Sequence, residues 1–177
     1  RPLTPDAGRP EVHWSGLHAS ATALALAEAA AADHRPWIIL EPDSRSLERR
    51  RAELGFFAPP SLRLLTLPDW EVLPYDVFSP HADITSERLL ALAELPTLGR
   101  GLVLLSIDML LQRLAPRQYV AARSFSLAVG ERLALEAFRL RLTEAGYSSV
   151  GQVAGPGEFA LRGSLLDVFP MGSEAPL

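Results

Sequence analysis

Three short apolar runs set the pattern of the first two-thirds of the chain: Trp37 to Leu40, Leu62 to Thr66 and Leu102 to Leu105. Runs of this length with almost no polar residue predict strands buried on both faces. Segments with helix punctuation lie between them. Ser20 to His34 is alanine-rich, with Ser20 or Thr22 placed to cap it and Arg35-Pro36 to end it. Asp43 or Ser44 opens a second helix, which is expected to run to about Leu54 and close at Gly55. A third runs from Ile84 to about Leu95 behind a cap at Asp83, and a short fourth from Asp108 to Leu114. Glu11 to Trp14 reads as one more short strand, after a proline-rich leader. Strands alternating with helices predict an α/β domain with a parallel sheet.

The pattern changes near Ser124. Phe125, Leu127 and Val129 alternate as the inner face of a half-buried strand would. A helix from about Leu133 places Leu135, Phe138 and Leu142 on one side and closes at Gly146. Gly157 to Arg162 and Ser164 to Phe169 then read as two strands around Gly163. The fold class expected is therefore α/β over 1–123, followed by a smaller α+β module with a β-hairpin over 124–177. No closing helix follows the hairpin, so the second module is expected to be cut short at Leu177.

One stretch fits neither period. Pro68 to Leu89 spreads Trp70, Tyr75 and Phe78 among Pro68, Pro74 and Pro80. Proline fixes φ and pushes the residue before it out of the helical region. Most of the stretch, up to the cap at Asp83, is read as an ordered, non-helical ribbon whose three rings are buried against the core.

Composition narrows the class. A chain of 177 residues with 48% hydrophobic positions can bury a core. A net charge of -4 and a pI near 5.6 argue against a general grip on nucleic acid. All 17 basic residues are arginine. With no cysteine, disulfides and thiolate metal sites are excluded. No apolar run reaches membrane-spanning length and no signal peptide opens the chain, so a soluble cytoplasmic protein with no membrane partner is expected.

Candidate chemistry is sparse. GLHASATA, from Gly16 to Ala23, stands where a strand meets a helix, the place of a phosphate loop G-x-x-x-x-G-K-S/T. Only Gly16 fits. Ala21 replaces the second glycine, Thr22 the lysine and Ala23 the metal-binding hydroxyl, so the loop is predicted to be inactive and the turn merely a capped helix start. His81, Asp83 and Glu87 are possible metal ligands, but loose spacing favours a helix cap and a dipole partner instead, and no metal is expected. Asp69, Glu71 and Asp76 could pair as acid and base, yet nothing fixes their separation, and no catalytic residue is assigned. Arg45, Arg49, Arg50 and Arg51 form a basic cluster interleaved with Glu48 and Glu53, read as a solvated face with an Arg49–Glu53 pair rather than a phosphate grip. Arg162, beside Gly163 at the hairpin turn, reads first as an ordinary exposed turn arginine, although exposed arginines on rigid turns are also favoured interface anchors.

The run DWEVLPYDVFSPHADITSERL resembles the N-terminal region of the bacterial transcription-repair coupling factors, the Mfd family. RGLVLLSIDMLLQRLAP, AGYSSVGQV and GEFALRGSLLDVFPMGSE extend the resemblance from about Ser15 to Leu177. It implies a UvrB-like module: a vestigial helicase-like domain 1A, then the start of domain 2, which in this family binds UvrA. An arginine in the family's contact motif falls on Arg162. The run from Pro74 to Asp83 leaves no room for the DNA-gripping hairpin of UvrB. The family's ATP- and Mg-dependent translocase motor lies downstream, as do the regions that reach RNA polymerase and DNA. No cofactor is therefore expected here, and this region is expected not to be an enzyme. The reading from another class is a helicase-like nucleotide- or DNA-binding domain.

Overall fold

The computed structural model describes residues 4–6, 8, 10–72, 76–125 and 127–177. It divides into two compact units, Arg1–Asp69 with Thr97–Gln112, and Trp70–Pro96 with Arg113–Leu177.

The first unit is an α/β layer. Its elements are α1 (Ala21–Ala31), β1 (Pro36–Glu41), α2 (Ser44–Phe57), β2 (Leu64–Leu67), β3 (Gly101–Ser106) and α4 (Ile107–Leu110), while α3 (Ala82–Glu94) belongs to the second unit. The strands form one parallel sheet in the order β1-β3-β2, with Ile39 opposite Leu104 and Leu65 opposite Val103. All six residues of β3 are buried. Ala23, Ala27 and Ala30 of α1 and Leu54 of α2 close over Ile39, Leu102 and Leu104. Alanine is the right size there, since its lack of bulk lets the helix lie close to the sheet. Gly101 is required at the start of β3: a Cβ would come within 2.5 Å of the Arg63 carbonyl oxygen, to which Leu102 donates at 2.8 Å.

Three expectations about this unit are corrected. β1 is not buried on both faces, for Ile38 and Leu40 are 67% and 47% exposed. It is an edge strand, and an edge lacks the second neighbour that encloses β3. Glu11 to Trp14 forms no strand; Trp14 instead sets its ring 6.3 Å from that of Trp37. Gly55 does not end α2, which runs on to Phe57. The stop is Ala58, extended at φ -70° and ψ 135° because Pro59 follows it.

The second unit holds α3 (Ala82–Glu94), α5 (Arg117–Arg123), α6 (Leu135–Glu144), β4 (Ser148–Ser149), β5 (Glu158–Arg162) and β6 (Leu165–Phe169). Its sheet runs β4-β5-β6, with β4 parallel and β6 antiparallel to β5. Phe138, Leu142, Phe159 and Val168 make its core, with Phe125, Tyr147 and Leu166 against them. The predicted strand at 124–129 is absent among its described residues. Phe125 is inserted edge-on against Phe138 at 5.0 Å, while Leu127 and Val129 stand exposed. Alternation alone makes no strand without a neighbour to pair with. Asp83 does not cap α3: the His81 side chain accepts from the Asp83 N–H, and Asp83 sits in the first turn.

The ribbon also departs from expectation. Trp70 is half-buried, with the buried Arg88 guanidinium 3.9 Å above its ring. Phe78 is 75% exposed, so it anchors nothing. Tyr75 lies outside the described residues. Among the described residues no helix is long and apolar enough to cross a membrane.

Candidate partner-docking hairpin

The degenerate loop sits ahead of α1. Gly16 takes φ +74°, and the Ala21 N–H donates to the His18 carbonyl at 3.1 Å. Ala21 is exposed, Thr22 half-buried and Ala23 fully buried, so an alanine methyl faces the core at the position of the missing hydroxyl. Ser20 stands at the N-cap without capping; its hydroxyl donates to Glu53 Oε1 at 3.2 Å. That puts a carboxylate beside the turn where a phosphate loop offers positive charge, which repels an anion.

The arginine cluster is drawn into the same corner. Arg50 donates to Glu41 at 2.7 Å and to Glu53 at 2.8 Å, and its side chain is only 12% exposed. Glu53 thus pairs with Arg50, not with Arg49 as expected. The one-turn reach from α2 to the end of β1 favours the residue facing the sheet. Arg45 and Arg49 stay on the solvent side.

Asp69, at the end of β2, accepts from Ser106 Oγ at 2.8 and 3.0 Å and from the Ser44 hydroxyl. Ser106 Oγ also accepts the Met109 N–H at 3.0 Å. This carboxylate ties together the ends of β2 and β3 and the start of α2. Glu71 and Asp76 are exposed. His81 and Asp83 are neighbours, with Nδ1 3.3 Å from the Asp83 carboxylate. Among the described residues no group of three histidines or acids could hold a metal ion.

The hairpin is built for display. Arg162 pairs with Leu165, which leaves Gly163-Ser164 as a two-residue turn, and Gly163 takes φ +63°. Such turns need a residue tolerant of positive φ. Arg162 is exposed, and its Nη2 donates to Asp167, the diagonal neighbour on the opposite strand. At the other end, Glu158 accepts from the N–H groups of Ala154 at 2.8 Å and Gly155 at 3.0 Å. These bonds hold its carboxyl below the usual glutamate range. The sequence reading does not single out Asp167, although a two-residue turn would have set it diagonal to Arg162.

Residues 125–177 match the family model of the UvrB interaction domain. Over 160 residues, 90% of its length, the chain is 41% identical to the transcription-repair-coupling factor of Escherichia coli, strain K12. It is 44% identical over 156 residues, 88% of the chain, to that of Haemophilus influenzae, and 34% identical over 169 residues, 91% of the chain, to that of Mycobacterium bovis. The chain spans 14%, 13% and 13% of these relatives' lengths. The chain is thus similar, over nearly all of its length, to one part of the transcription-repair-coupling factors, and its residues 125–177 match the UvrB interaction domain.

Proposed function

We propose that this chain is a non-catalytic recruitment module: its second domain binds UvrA and so brings excision repair to a stalled RNA polymerase. Polymerase and DNA would be engaged by other regions of such a factor. The observation that carries the reading is Arg162. It is exposed at the end of β5, beside the two-residue turn, inside the segment that matches the UvrB interaction domain. A guanidinium is planar and permanently charged, and can hold a partner carboxylate by two parallel hydrogen bonds. Its pairing with Asp167 keeps it ordered, so docking costs less side-chain entropy. The domain boundary is proposed near Arg123.

The chain is further proposed to use no cofactor. Thr22 and Ala23 offer neither a lysine nor a metal-binding hydroxyl, and Glu53 adds negative charge at the turn. Titration calorimetry with Mg-ATP should give no saturable heat, whereas immobilised chain should retain purified UvrA. Saturable ATP binding without UvrA retention would favour the helicase-like reading instead.

A further inference from the structure

The second unit has a groove that the hairpin turn does not use. Leu89 and Leu90 of α3, Tyr119 and Val120 of α5, Tyr147 and Met171 enclose a largely apolar cavity of about 350 Å³. A recess of about 200 Å³ shares Arg123 and Phe125 with it and adds Arg141 and Glu144. The groove includes Pro170, just past β6, whereas Arg162 lies at the far end of β5; a five-residue strand separates them by roughly 15 Å. The two surfaces are therefore separate.

The charge at the groove decides its partner. The Arg123 guanidinium lies 3.8 Å from the Tyr119 ring centroid, and that of Arg141 5.7 Å from that of Phe125. Among the described residues neither is in an ion pair. A guanidinium stacked on a ring keeps its in-plane N–H groups for a carboxylate. Glu144 offsets one of the two charges, and the whole chain carries -4, which disfavours a polyanion such as a nucleic-acid backbone. The cavity is at the small end of ligand pockets, room for one or two side chains.

We propose that this groove docks a protein segment presenting a bulky apolar side chain next to a carboxylate, the side chain filling the cavity and the acid meeting Arg123 and Arg141. Ala93 lies exposed at the groove on α3, so Ala93→Trp adds a ring there without touching the core. A phage-displayed random heptapeptide library is panned on the parent chain and on Ala93→Trp, with melting curves confirming that both fold. Clones held by the parent and lost with Ala93→Trp should carry an aromatic or aliphatic residue beside Asp or Glu. As synthetic peptides they should bind about tenfold more weakly to Arg123→Gln, or when the acid is changed to its amide, the loss of one charge-assisted hydrogen bond. The proposal is overturned if no clone depends on Ala93, or if the dependent clones lack an acid. It is equally overturned if oligothymidylate binds there more tightly than the peptides, or if the parent forms a dimer that Ala93→Trp breaks, which would make a second copy the occupant.

Discussion

Glu158 shows how much one side chain can organise. Its carboxylate takes two backbone N–H groups from the turn ahead of β5, and those bonds favour the charged form. Its folded pKa lies below the unfolded glutamate value of about 4.3. The stabilisation is therefore complete above that value and is lost as the pH falls through the folded pKa. Glu158→Gln should melt below the parent at pH 7, and the gap should narrow under strongly acidic conditions. A gap independent of pH would mean the charge is irrelevant. Gly101 is a steric case. Because the atom a Cβ would strike is backbone, Gly101→Ala should destabilise by about 1–3 kcal/mol, read by urea unfolding. An unchanged midpoint would show that β3 can shift away from Arg63.

At the scale of elements, the proline ribbon separates ring burial from ring presence. Trp70 is half-buried and carries the Arg88 guanidinium, while Phe78 faces solvent. Trp70→Ala should cost about 2 kcal/mol, less than a fully buried ring. Phe78→Ser should stay within about 0.5 kcal/mol of the parent. Equal costs in chemical denaturation would contradict the placement of the two rings. The strands β1, β2, β3, β5 and β6 were legible because short apolar runs bounded by punctuation have few other solutions. The exposure of Ile38 and Leu40 was not, because which strand lies at an edge depends on strand order. The described residues of 124–129 carried a strand's alternation but found no strand to pair with, and Phe125 packs instead against Phe138 and Tyr147. The end of α2 was misread because Gly55 is a weaker stop than Pro59, which acts through Ala58. The cap of α3 fell to His81, a residue whose ring nitrogen can accept an N–H but which sequence rules do not favour.

For the whole molecule, the resemblance carried Arg162 and the partner. Periodicity alone would have left a turn arginine among many exposed ones. The hairpin register supplies what the sequence reading lacked: a partner in Asp167, a two-residue turn, and a surface some way from the apolar groove. The departures of Gly16 to Ala23 from a phosphate-loop pattern were legible residue by residue, but the carboxylate of Glu53 beside Ser20 was not, since it comes from another helix. The measurement that tests the central claim most directly is UvrA affinity for the parent, Arg162→Glu and Arg162→Lys, by calorimetry beside melting curves. Removing one member of an interfacial charge pair costs about 2–5 kcal/mol, so Arg162→Glu should lose detectable binding while its melting temperature barely moves. Lysine, which lacks the fork, should restore only part of it. Equal UvrA affinity for parent and Arg162→Glu would contradict the claim.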